Sequence, residues 1–248
     1  MRFRPLLPAV LALAGVVVGG VLPGAVRAAP SLEALQTALN TPGPVALAAV
    51  LEAGPGLDPQ EVEARQAALR QRFPDARWTV SPGSPLRDGR ATTEVLVQGT
   101  RQLGAYAFRF EARQQLVLGG SAARFNRQQV IRESSMLRSG DADLGVSLLI
   151  PDAVLTGQRY DLDVIFDDPL EGSVAAGAIQ PVTVAELISL ESPALELEAL
   201  GGGGLFKSVQ APYQPGTQTW AVLLVHPKGI VSATKQVRVV ADQSGLNL

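Results

Sequence analysis

The sequence predicts an α+β N-terminal domain, with helices packed on a curved antiparallel sheet, followed by an all-β sandwich domain. Two observations carry this prediction. The apolar spacing changes from helical to alternating near Ala76, and long alternating strands give way to short ones near residue 140. Helices followed by a run of strands are typical of an α+β domain. We therefore expect domains at residues 29–140 and 144–242, with a flexible C-terminal tail at 243–248.

The first 28 residues have the pattern of an export signal. Arg2 and Arg4 precede an uncharged apolar run from Leu6 to Leu22, and small residues follow. The small residues favour cleavage after Ala28. The alternative is a retained membrane anchor, since about 17 apolar residues lie at the lower limit for a membrane span. We expect an exported protein, located in a bacterial periplasm or in the lumen of a photosynthetic compartment.

Three helices are predicted next. Ser31 is placed to cap a helix over residues 31–40, and a second helix runs from Pro44 towards Gly54. Asp58 caps the third, which has Pro59 at its first position and ends near residue 73. These helices precede four strands, which are predicted between residues 76 and 140.

The third of these strands alternates cleanly between an aromatic face and a charged face. The aromatic face contains Tyr106, Phe108 and Phe110, and the charged face contains Arg109, Glu111 and Arg113. Strand alternation gives Tyr106 no acidic neighbour on its face, so its hydroxyl is expected to bond the backbone. The charged face is interpreted as exposed surface or as a docking face.

The order of elements over residues 31–139 resembles the nuclear-transport-factor-two-like fold and its relatives with a mitochondrial-import Tim-type domain. That resemblance implies a cone-shaped sheet closed by helices around an apolar pocket. In this sequence the pocket candidates are Trp78, Tyr106, Phe108 and Phe110.

Residues 144–242 contain about seven short strands separated by turn signals, a profile that resembles the immunoglobulin-like sandwich. Trp220 lies in the most apolar strand and is the expected core anchor. The hallmark disulfide of that family is absent, so only the general sandwich is implied. The whole chain is similar to exported cyanobacterial proteins whose activity is not established.

The run Gly201–Gly204 precedes a predicted strand and lacks a following Lys-Ser/Thr, so it is not a phosphate-binding loop. It is interpreted as a turn inside the sandwich, where glycine permits positive φ. Leu205 and Phe206 then either return to the core or form an exposed apolar tip that docks a partner.

Composition limits the possible chemistry. Without Arg2, Arg4 and Arg27 the chain has 18 basic and 23 acidic residues, a net charge of −5, so nucleic acid is not an expected partner. The absence of cysteine excludes disulfides and thiolate chemistry. The single histidine, His226, precedes a Pro-Lys-Gly turn and is interpreted as a hairpin-tip residue. We expect no catalytic residue, no cofactor and no metal site.

Five carboxylates crowd one short segment, yet they lie on the outer face of a strand and in the turn that ends it. This arrangement favours a solvated surface over a calcium site. The residues concerned are Asp161, Asp163, Asp167, Asp168 and Glu171.

The function expected from these observations is a non-catalytic binding or assembly module of the cell envelope or a lumenal compartment, which contacts another protein there. A membrane is a partner only if the signal segment is retained. The alternative is a small-molecule carrier or an unrecognised enzyme that uses the apolar pocket. A carrier needs an open cavity of roughly 300 Å³ or more, whereas an assembly module has a filled interior and an exposed apolar patch. The surface candidates are Arg109, Glu111, Arg113, Leu205 and Phe206.

Overall fold

A computed structural model of the chain describes residues 30–121, 123–140, 144–167, 173–183, 186, 195–200, 203–246 and 248. The predicted export signal, Asp168, Glu171 and the first two glycines of the glycine run lie outside these residues. The helices are α1 (Leu32–Asn40), α2 (Pro44–Val50), α3 (Pro59–Arg72) and α4 (Gln243–Leu246). The strands are β1 (Arg77–Gly83), β2 (Thr92–Leu103), β3 (Tyr106–Ser121), β4 (Arg124–Gly140), β5 (Val146–Leu149), β6 (Ala153–Leu155), β7 (Arg159–Phe166), β8 (Ala175–Val182), β9 (Glu198–Leu200), β10 (Gly204–Gln210), β11 (Gly216–His226) and β12 (Gly229–Val240).

The predicted fold class, an α+β domain followed by a separate sandwich, is wrong. The described residues are mostly β, with 56% in strands and 18% in helices, and they do not show an N-terminal domain of helices on a sheet. One antiparallel sheet has the strand order β1-β2-β3-β4-β12-β11-β8-β9, with β6 beside β12. The physical reason is the length of β4, whose last residues, Ser134–Gly140, pair with β12. Periodicity shows that a segment is a strand but does not show its partner.

Two compact units are present. The described residues up to Gly99, together with Arg113–Glu133, form the N-terminal unit. Thr100–Ala112 and the described residues from Ser134 onward form the C-terminal unit. The long strands β2, β3 and β4 therefore contribute residues to both units.

The predicted starts of α1 and α3 are confirmed. The Ser31 hydroxyl accepts a hydrogen bond from the backbone N–H of Ala34 at 3.4 Å. The Asp58 carboxylate accepts one from the N–H of Gln60 at 2.9 Å, and Pro59 is the first helical residue. These caps satisfy N–H groups that have no partner inside the helix.

Helix α1 binds the outer edge of β1, an end strand of the sheet. The Asn40 amide donates to the carbonyl of Trp78 at 2.6 Å and accepts from the N–H of Trp78 at 3.0 Å. The Gln36 amide accepts from the N–H of Val80 at 2.8 Å. These side chains supply the hydrogen bonds that a neighbouring strand would supply.

The C-terminal unit has a second sheet, of order β10-β7-β5, whose inner residues share one core with the large sheet. Trp220 is 4% exposed and lies in this core, which confirms its predicted role. Its indole N–H donates to the Tyr160 hydroxyl at 3.0 Å, which donates to the Gln218 amide oxygen at 2.8 Å. The buried polar groups of both aromatic residues are thus satisfied.

Replacement of Gly203 and Gly204 by valine is expected to lower the melting temperature. Gly203 has a φ of +78°, and its carbonyl accepts a hydrogen bond from the N–H of Phe166 at 2.9 Å. A Cβ at Gly204 would lie 2.7 Å from the carbonyl oxygen of Val164. A valine in the left-handed region costs roughly 1 to 2 kcal/mol. Thermal unfolding measures this, and an unchanged melting temperature in the double variant contradicts it.

Candidate functional site

Two kinds of site find no support in the described residues. No group of three histidine, aspartate or glutamate side chains is placed to hold a metal ion there. Asp167, one of the crowded carboxylates, accepts a hydrogen bond from the Ser147 hydroxyl at 2.6 Å. The part of the chain that the structure describes also has no helix that is long and apolar enough to span a bilayer.

His226 ends β11 and is paired in register with Gly229, so the predicted hairpin is confirmed. The side chain, however, is only 8% exposed, so its expected place at an open hairpin tip is wrong. Its Nδ1 accepts from the backbone N–H of Lys228 at 3.2 Å, and its ring centroid lies 5.5 Å from that of Phe166. The imidazole therefore packs as part of the core.

The N-terminal unit contains a small cavity, here called the Trp78 cavity. Its volume is about 30 Å³, which is enough for one or two water molecules. The indole N–H of Trp78 and the amide nitrogen of Gln128 are buried there without a hydrogen-bond partner. Its other lining residues include Leu35, Leu39 and Gln114.

A buried carboxyl group is hydrogen-bonded to one of the residues that line this cavity. Glu133 is 5% exposed and accepts a hydrogen bond from the amide nitrogen of Gln114 at 2.8 Å. Burial raises the pKa of Glu133 to about 7, although the Gln114 hydrogen bond and the charge of Arg65 lower it. Arg65 itself is bonded to Glu61 at 2.5 Å. Glu133 does not line the cavity, so the carboxyl group faces protein and not an open pocket.

The sequence-predicted pocket residues differ in exposure. Trp78 is 2% exposed, Phe110 is buried, Phe108 is half-buried, and Tyr106 is 60% exposed. The rings of Tyr106 and Phe108 lie 6.4 Å apart. Trp78 is the one member of this set that lines the Trp78 cavity.

The predicted charged face of β3 is largely exposed. Arg109 and Arg113 are exposed and Glu111 is half-buried. Arg109 donates to the carbonyl of Gly140 at 3.5 Å, and Glu111 and Arg113 each take part in a further interaction. These side chains thus already have partners within the chain.

A larger depression, here called the edge groove, lies in the C-terminal unit and has a volume of about 470 Å³. Its lining residues are Gly177–Pro181 of β8, Glu196 and Glu198, and Leu205–Lys207 of β10. It contains both of the predicted tip residues, Leu205 and Phe206.

Strand register sets the direction of the β10 side chains. Leu205 pairs with Val164 and packs against the core, whereas Phe206 pairs with Asp163 and is 62% exposed. The sequence left two alternatives open, a return to the core or an exposed position. Leu205 follows the first and Phe206 the second. Lys207, which pairs with Leu162, places its ammonium group 5.8 Å from the Trp220 ring centroid.

The backbone edge of β8 is open along the edge groove. β9 pairs only with Ala175–Gly177, and its register stops at Gly177 and Glu198. The other edge of β8 is paired with β11. Among the described residues, therefore, no strand pairs with the outer edge of Ala178–Val182.

The groove carries more negative than positive charge. Glu196 and Glu198 are exposed and form no ion pair with a described residue, and Lys207 is the opposing cation. Ile179, Leu205 and Phe206 are the large apolar residues of its lining, and of these Phe206 is the most exposed. The arrangement can bind an extended segment through backbone hydrogen bonds, apolar contact and charge.

Sequence reasoning missed two groups of residues. Gln114 shares the buried face of β3 with Phe110, and Glu133 lies on the corresponding face of β4 between Ile131 and Ser135. The prediction that Tyr106 has no acidic neighbour on its face concerns β3 alone, so it does not include the buried carboxyl group of Glu133 on β4. The alternation of β4 alone predicts that the side chain of Glu133 is buried. The groove residues Glu196 and Glu198 are missed because no pattern places them beside β8.

Residues 141–240 match the model of a domain of unknown function, DUF8623. All of the edge groove lies inside this range. No curated protein matches the chain. The edge groove is therefore the feature of the chain that bears on its function.

Proposed function

We propose that this chain is an exported, non-catalytic binding or assembly module, which contacts another protein of the cell envelope or of a lumenal compartment. The observation that carries the proposal is the edge groove, where Phe206 is 62% exposed beside a stretch of β8 whose outer edge pairs with no described strand. Exposed aromatic residues in a concave surface are typical anchors of protein interfaces. The charged and apolar pattern of residues 1–28 supports export.

The alternative function, a carrier or enzyme that uses the N-terminal unit, has less support. A drug-sized ligand needs a cavity of roughly 300 Å³ or more, whereas the Trp78 cavity has about 30 Å³. Glu133 is a buried carboxyl group, which an active site would use, but it does not line the cavity. The balance of these observations favours the binding module.

Site-specific cross-linking tests the proposal. We expect a photo-reactive phenylalanine analogue at Phe206 to form a discrete adduct with one protein when the full chain is made in its native cells. The same analogue at Tyr213, which is 79% exposed and does not line the groove, is the matched control. Both positions carry exposed aromatic rings, so only the groove distinguishes them.

The adduct is measured by its mass on a denaturing gel and identified by peptide sequencing. A second variant, Glu198→Lys, should reduce the yield at Phe206 without changing the folded state. If positions 206 and 213 give no adduct, or the same adducts in equal yield, the proposed function is wrong.

A further inference from the structure

The two ends of the large sheet differ: β1 is the end strand on one side, and on the other side the short end strand β9 covers only the first residues of β8. At β1 the side chains of Asn40 and Gln36 bond the backbone groups of Trp78 and Val80. An end strand whose backbone is occupied in this way cannot accept another strand. The β1 edge is therefore closed.

At β8 the described residues leave the edge open. Pairing with β9 ends at Gly177. Beyond the strand, the backbone N–H of Thr183 donates to the Glu186 carboxylate at 2.8 Å, and the N–H of Glu186 donates to the Thr183 hydroxyl at 3.2 Å. Between Gly177 and Thr183 lie Ala178–Val182, which pair on one side only, with β11. Pro181 has no N–H, which fits a position whose nitrogen faces away from β11. Strand alternation then directs the backbone N–H and carbonyl of Ile179 to the open edge.

We infer that the edge groove binds an extended, basic segment of a partner protein, which adds as a strand to the edge of β8. This inference rests on the proposed function and names the chemistry of the partner. Strand addition supplies main-chain hydrogen bonds, and the side chains of alternate residues give specificity.

Charge complementarity identifies the basic partner. Glu196 and Glu198 line the groove, and among the described lining residues Lys207 is the only cation; its ammonium group lies 5.8 Å from the Trp220 ring centroid. Lysine or arginine side chains of an added strand reach the two carboxylates, while acidic side chains meet repulsion. The net charge of −5 on the chain without Arg2, Arg4 and Arg27 acts in the same direction.

The apolar residues of the groove specify the rest of the segment. The groove lining includes the core residue Ile179, Leu205, which packs against the core, and the exposed Phe206. A strand presents alternate side chains to opposite faces. The segment that fits best therefore alternates basic residues with β-branched apolar residues.

Three synthetic peptides test the inference on the full chain. The first is an acetylated, amidated heptapeptide of alternating lysine and valine. The second has the same sequence with N-methyl groups on the central lysine and both neighbouring valines, which removes the three central hydrogen-bond donors, at least one on each edge of the strand. The third replaces every lysine by glutamate. Binding is measured by calorimetry, and hydrogen exchange is followed at the amides of Ile179 and Gln180.

We expect the lysine peptide to bind and to slow exchange at Ile179, and the N-methylated peptide to bind at least tenfold more weakly. The glutamate peptide should not bind. Glu198→Lys should weaken binding of the lysine peptide at least tenfold, and 0.5 M salt should weaken it as well. Glu52→Lys makes the same change of charge at an exposed carboxylate outside the groove and should leave binding unchanged.

Four results overturn the inference. They are equal binding of the N-methylated peptide, equal binding of the glutamate peptide, absence of binding by the lysine peptide, and an Ile179 amide that is already protected in the free protein. The last result identifies this chain's own residues as the occupant of the edge. If any of these results is obtained while cross-linking at Phe206 still gives its discrete adduct, the proposed function stands and only strand addition fails.

Discussion

The free energy of unfolding of the N-terminal unit is expected to fall by roughly 3 kcal/mol as the pH rises from 4.5 to 7. The cause is Glu133, whose pKa burial raises to about 7 from the usual 4.5. Each unit of difference in pKa between the folded and unfolded chain corresponds to roughly 1.4 kcal/mol. The effect is large because the side chain is 5% exposed.

The direction of the change in stability with pH follows from the number of protons that each state binds. Between pH 4.5 and 7 the folded protein keeps the Glu133 proton, whereas the unfolded chain has released it. The folded state therefore binds more protons in this window, and stability decreases as pH rises. Above pH 7 both states are ionised at this position, and the contribution stays constant.

Glu133→Gln tests this prediction, because glutamine resembles the protonated carboxyl group and keeps an acceptor for Gln114. We expect the variant to match the wild type at pH 4.5 and to exceed its stability by roughly 3 kcal/mol at pH 8. Urea unfolding, followed by Trp78 fluorescence in a Trp220→Phe background, reports on the N-terminal unit. The two proteins differ at this one position, so the comparison isolates the Glu133 carboxyl group.

Glu94→Gln is the matched control, since Glu94 is an exposed carboxylate on strand β2 of the same sheet. It should shift the unfolding curve little and equally at every pH. Parallel pH profiles for the wild type and Glu133→Gln would show that this carboxyl group titrates normally, and would refute the prediction.

Local elements are well predicted from this sequence because short-range chemistry determines them. Ser31 and Asp58 begin α1 and α3 through hydrogen bonds to residues two or three positions away. The alternation of β3 correctly predicts which side of the strand is buried from Phe110 to Leu116. In each case the deciding contacts lie within the segment itself.

Strand partners are not predicted, because pairing depends on residues that are distant in sequence. Ser135 of β4 bonds Thr234 of β12 at 2.6 Å across 99 positions, and nothing in either segment indicates the other. The error in fold class follows from this. A change in strand length near residue 140 was interpreted as a change of sheet, whereas β4 pairs with β12.

The candidate site was predicted in part. Leu205 and Phe206 were identified as two large apolar residues that directly follow the glycine run. Strand alternation explains why only Phe206 is exposed. The open edge of β8 could not be predicted, since it depends on where β9 stops pairing. For the same reason, the sequence does not predict that Glu196 and Glu198 line the groove.

Asn40→Ala is expected to destabilise the N-terminal unit by about 2 to 6 kcal/mol. The Asn40 amide satisfies both the N–H and the carbonyl of Trp78, whose side chain is 2% exposed. Its loss leaves two backbone groups of an end strand without a partner, and each such group costs about 1 to 3 kcal/mol. Urea unfolding followed by Trp78 fluorescence measures the change.

The same variant is expected to self-associate, because an end strand with unpaired backbone groups is a template for another strand. Sedimentation velocity should show a concentration-dependent dimer for Asn40→Ala. Thr37→Ala is the matched control. Thr37 lies on the same helix, and its hydroxyl donates to the carbonyl of Glu33 at an exposed position. If both variants lose the same small stability and both stay monomeric, Asn40 does not close the β1 edge. The contrast between a closed β1 and an open β8, which supports strand addition at the edge groove, would then be lost.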